Sequence, residues 1–155
     1  YYNGQNNKVP FFASNNMVIP ARLFQKIGGF DSSFPLAAGE DRDFCDRWHF
    51  RGFHTRYQPG AVIQHAHAMS LSAFWRQHFN YGRGAFYFHK ARSRRCKTRL
   101  KIEPFSCYMG LLIYPVMQLK NLKGFLLAGL LFISQVANTM GFLRQARRQK
   151  TSCKQ

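Results

Sequence analysis

Apolar and polar positions alternate in short clusters up to about residue 70, and from there the pattern turns helical. Residues 9–19 place β-type side chains on both sides of a small polar centre, Ser14-Asn15-Asn16, which predicts a strand pair or a strand kinked at that centre. Pro20 opens a short helix with Leu23, Phe24 and Ile27 on one side, and Gly28-Gly29 stops it. Residues 30–34 form a turn. A helix then runs from just after Gly39 to about Gly52, with Asp41, Phe44, Cys45 and Trp48 at the spacing of a single face. Residues 54–58 and 61–65 predict two short strands around the turn Pro59-Gly60. Residues 70–89 predict a long amphipathic helix capped by Ser70 or Ser72 and interrupted by Gly82 and Gly84. Beyond residue 105 the polar face disappears. Residues 105–119 are uncharged and contain Pro115, and residues 120–123 form a polar link. Residues 124–143 give 20 uncharged positions, long enough to cross the core of a bilayer.

Charge sharpens this picture. The chain has 23 Lys and Arg against six Asp and Glu, a formal charge of +17. Such a balance implies an anionic partner: nucleotide phosphates, nucleic acid or an anionic membrane face. Seven basic residues lie in 90–101, two in the link and five after residue 143, a bias that places both ends of an apolar hairpin in the cytosol. The alternative for the same stretch is a helical hairpin buried in a soluble core. The four cysteines are far apart without C-x-x-C spacing, so they read as reduced thiols rather than a zinc site or a disulfide framework. Residues 1–8 are polar and read as a loop. The start at Tyr1, with no Met and no signal-like segment, reads as a fragment or a processed piece.

Against this basic background, four of the six acids fall together as Glu40, Asp41, Asp43 and Asp46. Acids in a first helical turn are favoured by the macrodipole, and capping alone explains many of them. Asp43 and Arg47 form an ordinary i,i+4 pair. Asp41 differs, because it shares the face of Phe44, Cys45 and Trp48 and needs a partner or a chemical task there.

The segments Ala13-Ser14-Asn15-Asn16, Ile27-Gly28-Gly29-Phe30-Asp31, Gly39-Glu40-Asp41-Arg42-Asp43-Phe44, Pro59-Gly60-Ala61-Val62-Ile63-Gln64-His65 and Tyr81-Gly82-Arg83-Gly84 stand in this order. Together they resemble the second half of a family 2 glycosyltransferase, over roughly residues 9–88. The resemblance implies an α/β fold: the C-terminal portion of a GT-A (Rossmann-like) domain, followed here by a hydrophobic helical hairpin. It implies inverting transfer of a sugar from a nucleotide-sugar donor to an acceptor hydroxyl on a sugar or lipid, in cell-surface polysaccharide or glycolipid synthesis. Asp41 would be the catalytic base, since a positioned carboxylate takes the proton of the attacking hydroxyl, and Glu40 would help place base or acceptor. A divalent cofactor, Mn2+ or Mg2+, would neutralise the leaving diphosphate, with His65 and its neighbour His67 as ligands. Arg76, Tyr81 and Arg83, with Asn15 and Asn16, would hold diphosphate or acceptor. The plain alternatives are a packed or exposed histidine and a solvated basic helix face.

The family's first half, with its uridine-binding strands and D-x-D motif, has no counterpart here. Asp41-Arg42-Asp43 has that spacing at a helix start, not at a strand end. The Q-x-x-R-W motif of processive relatives is unmatched, since Gln77 is followed by Asn80-Tyr81. This argues against polymer synthesis, and poor nucleotide-sugar binding by the chain alone is expected. The organisation expected is a catalytic half at 1–89, a basic juxtamembrane linker at 90–104, a membrane hairpin at 105–143 and a basic tail at 144–155, with the catalytic part cytoplasmic and no nucleic-acid partner. The rival class is a non-enzymatic, membrane-anchored basic module that grips nucleic acid or anionic lipid through Arg92, Arg94, Arg95, Lys97 and Arg99.

Overall fold

The computed structural model describes residues 11–64, 68–97 and 104–152. The loop expected at 1–8, His65, His67 and Arg99 lie outside these residues. A 3₁₀ turn at Ser14–Asn16 is followed by five helices: α1 (Ala21–Ile27), α2 (Glu40–Phe50), α3 (Leu71–Cys96), α4 (Phe105–Leu119) and α5 (Leu122–Ser152).

All regular structure among the described residues is helical, which overturns the expected α/β, GT-A-like class. A strand exists only where its backbone pairs with a neighbour. Here the polar centre Ser14-Asn15-Asn16 closes into a turn, with Asn16 N–H donating to Ala13 O at 3.1 Å. Asn16 Nδ2 of this segment donates to Ala61 O at 2.9 Å, and neither segment is in a strand. The turn at Pro59-Gly60 does form, closed by Ala61 N–H on Gln58 O at 3.0 Å.

Helix signals are read out locally. Pro20 precedes α1, and Gly28 ends it in the left-handed conformation at φ 91°. Gly39, at φ 93°, turns the chain into α2, whose first turn carries Glu40, Asp41 and Asp43. Ser70 caps α3 by accepting from Ala73 N–H at 3.2 Å. α1 packs on α2 through the rings of Phe24, Phe30 and Phe44, whose centroids lie 5.3 to 5.4 Å apart. Trp48 extends this cluster to Phe53 and ties down the following segment by donating from Nε1 to His54 O at 3.1 Å.

α3 is continuous through Gly82 and Gly84 and runs on past His89 to Cys96. The glycines do not interrupt it; they let other backbones touch it. A Cβ on Gly82 would lie 1.9 Å from Asn138 O of α5, and one on Gly84 would lie 2.1 Å from Ala38 O, just before α2. Contacts advance together along α3 and α5, from Gly82 against Asn138 to Lys90 on Gln149, so the two helices run in the same direction. From Ser134 onward α5 buries one side at this seam, through Ser134, Ala137 and Gln145. Its first turns instead pair with α4, which runs through Pro115 and folds back across the link at Lys120 and Asn121. Phe105, Tyr114, Met117, Leu122, Phe125, Leu126 and Phe132 are exposed on this hairpin.

Candidate active site

α2 presents its N-terminus to the Ser14–Asn16 turn. Asp41 stands at the positive end of the helix dipole, where a carboxylate is favoured. Its Oδ1 accepts from Arg42 N–H at 2.7 Å and its Oδ2 from Ser14 N–H at 3.4 Å. The turn that holds Asn15 and Asn16 thus touches Asp41 through the Ser14 N–H. Phe44, Cys45 and Trp48, the rest of Asp41's face, floor a cleft of about 360 Å³. Asn16, His54 and Arg56 supply polar groups along its walls. Asp41 lies one turn before Cys45 on the same helix and is bonded to Ser14. Burial pushes the Cys45 thiol up in pKa, and its Sγ accepts from Phe12 N–H at 3.5 Å, so it serves packing rather than nucleophilic attack.

Glu40 lies at the same helix start, and its Oε2 is buried with no hydrogen-bond partner among the described residues. α3 meets the helix start at Gly84, whose carbonyl oxygen would lie 3.0 Å from a Cβ on Gly39. Tyr81 is one turn earlier on α3, exposed, and hydrogen-bonded to Gln77 Nε2. Arg76 is exposed on the same helix. Arg83 reaches towards α5: its Nε donates to Gln145 Oε1 of α5 at 3.4 Å and its Nη1 to Asn80 Oδ1 at 3.5 Å. Gln145 in turn donates to the Tyr87 hydroxyl at 2.7 Å. His78, between Phe74 and Tyr81, has its pKa lowered by burial.

Sequence reasoning found the Asp43–Arg47 pair but missed what else the other acids of α2 hold. Asp43 is fully buried and accepts from Arg47 Nε at 2.8 Å and Arg95 Nη1 at 2.7 Å. Asp46 accepts from Arg95 Nη2 at 2.7 Å and Arg92 Nε at 3.3 Å. Arg92 and Arg95 are therefore not a free basic run: Arg95 is part-buried between the two acids, and Arg92 pairs with Asp46 from an exposed position. The signal was present as two matched i,i+3 pairs, Asp43/Asp46 and Arg92/Arg95. Arg42 lies between two rings, 4.6 Å from the Phe11 centroid and 5.5 Å from that of Phe88.

His65 and His67 lie outside the described residues. Among the described residues no three His, Cys, Asp or Glu side chains converge as a metal site.

A carboxylate at a helix start, faced by a polar turn, can orient a hydroxyl and accept its proton. The order of segments around it is matched at the level of the whole chain. The model of glycosyl transferase family group 2 matches residues 2–148, and the chain belongs to that family. It is a transferase that moves a glycosyl group from a donor to an acceptor. No curated protein and no solved structure matches it.

Proposed function

We propose that the chain carries the base-bearing side of an inverting, nucleotide-sugar-dependent transfer in which Asp41 deprotonates the acceptor hydroxyl. The acceptor oxygen forms its bond to the anomeric carbon as the bond from that carbon to the nucleoside diphosphate breaks. The hydroxyl proton goes to Asp41, and a single displacement inverts the anomeric configuration. The observation that carries this reading is the seating of Asp41 at the head of α2, against the Ser14–Asn16 turn. Glu40 and the two asparagines would hold the acceptor. Tyr81 and Arg76 would contact substrate from α3, and Arg83 would reach a diphosphate only with the edge not bound to Gln145 and Asn80. The test is turnover of a panel of UDP- and GDP-sugars, followed by NMR of the product. Retained anomeric configuration would overturn the single displacement.

A divalent ion at His65, with His67 beside it, remains part of the proposal and would supply charge neutralisation to the departing diphosphate. His65→Ala is expected to raise the Mn2+ or Mg2+ concentration needed for half-maximal activity. An unchanged metal titration would move the role to His67 or remove it.

The acceptor is proposed to be delivered at a membrane, in polysaccharide or glycolipid synthesis. Among the described residues, one helix, over Leu122–Thr151, is long and apolar enough to cross a bilayer, and only 17% of its apolar window is buried inside the molecule. A core helix of a soluble protein would be mostly covered. The exposed side chains of α4 and the first turns of α5 form a continuous apolar surface suited to lipid tails. Both hairpin ends would face the cytosol. Single cysteines at Lys97, Asn121 and Lys150, in a background without native cysteines, decide the topology. Asn121 reachable only from the non-cytosolic side, with the other two reachable from the cytosol, is the expected result. Lys97 and Lys150 labelled from opposite sides would mean one span, and release by carbonate washing would mean a soluble core.

A further inference from the structure

α2 carries an internal charge bridge whose position suits it to a task in the reaction. Asp43 and Asp46, one turn apart on α2, meet Arg92 and Arg95, one turn apart on α3. Arg95 spans both acids with its two terminal nitrogens, at 2.7 Å each. Burial works against the Arg95 charge, but the hydrogen bonds that Arg95 donates to Asp46 and Asp43 outweigh it and raise its pKa. Asp43 also receives Arg47 Nε, and the same guanidinium donates from Nη1 to Ile27 O at 2.9 Å and from Nη2 to Gly29 O at 2.6 Å. One fully buried carboxylate thus joins α1, α2 and α3 at a point two residues after Asp41.

Desolvating such charges is unfavourable compared with apolar packing of the same volume, so stability alone is a poor explanation for the bridge. Its geometry supplies a better one. A forked guanidinium held by two carboxylates on one helix fixes both the rotation and the axial position of that helix. The other end of α2 is fixed where Gly39 abuts the Gly84 carbonyl. We infer that the Asp43–Arg95–Asp46 bridge is a positioning device for the transfer reaction, with Arg95 holding the Asp41 carboxylate in register with the Ser14–Asn16 turn. This rests on the reading of Asp41 as base. Misplacing a reacting group by about 1 Å can lower a rate about 100-fold.

The test is a cycle of variants of the full-length protein, assayed by release of nucleoside diphosphate from UDP- and GDP-sugars: the unaltered protein, Arg95→Lys, Asp41→Asn and the double variant. Lysine keeps the charge but loses the fork, so it can hold one carboxylate in line and not both. Arg95→Lys is expected to lower kcat about tenfold or more with the donor KM unchanged. In the Asp41→Asn background it should produce no further loss. If Arg95→Lys slows both backgrounds by the same factor, it merely removes folded molecules, and the positioning role is overturned. Unaltered kcat in Arg95→Lys overturns it as well. A fully active Asp41→Asn would instead remove the base reading, and the bridge's task with it, whatever Arg95→Lys does. If Arg95→Lys does not fold, Asp46→Asn, which leaves the Asp43–Arg95 contact in place, carries the same cycle.

Discussion

Asp41→Asn is expected to abolish transfer while the chain stays folded. The amide has nearly the shape of the carboxylate, and its oxygen still accepts from the Ser14 N–H. α2 keeps Asp43 and Asp46 for its docking, so little stability depends on Asp41. An amide takes no proton from an attacking hydroxyl, and general-base catalysis contributes at least about 100-fold. Steady-state transfer, measured beside the thermal midpoint of the same preparation, checks the expectation. Retention of more than roughly a tenth of kcat would rule Asp41 out as the base.

Asp43→Ala is expected to have the largest effect on stability, a loss of about 3 kcal/mol. The substitution removes the acceptor shared by Arg47 and Arg95 and leaves two part-buried guanidinium groups near one another without it. Arg95 Nε already lacks a hydrogen-bond partner among the described residues. Removing one side of a buried pair is far more damaging than never building the pair. For a chain of this size, the loss corresponds to a fall in thermal midpoint of roughly 6–12 °C. Arg92→Ala is the control. Arg92 is 49% exposed and pairs with Asp46, and exposed pairs contribute about 0–1 kcal/mol. Equal midpoints for the two variants would mean that Asp43 carries no special weight.

These two acids show how far the sequence could be read. The start of α2, its acidic first turn and the apolar face of Phe44, Cys45 and Trp48 follow from local spacing, and the structure reproduces them. So do the stop at Gly28, the cap at Ser70 and the limits of α4, all set within a few residues of where they act. Asp43 was visible only as an i,i+4 partner of Arg47, because Arg95 lies 52 positions away and tertiary pairing leaves no local mark. Its partners sat in a run of basic residues that looked like a linker. The expected strands failed for a related reason. A β-type composition at residues 9–19 and 54–65 states what a backbone would accept, but a ladder needs a neighbour at the correct register. Here the polar centre Ser14-Asn15-Asn16 turned on itself. The glycines of α3 were likewise read by propensity, which makes each a weak point of about 1 kcal/mol. Backbone-to-backbone packing overrides that preference.

The two glycines face opposite neighbours, and this has a mechanical meaning. Where side chains separate helices, a small shift is absorbed by a change of rotamer. At Gly82 and Gly84 no side chain stands between α3 and the backbones of Asn138 and Ala38. α3 therefore acts as a stiff rocker between the apolar helix and the head of the acidic one. A tilt of α5 has no soft layer at these points in which to dissipate before it reaches the loop that ends in Gly39.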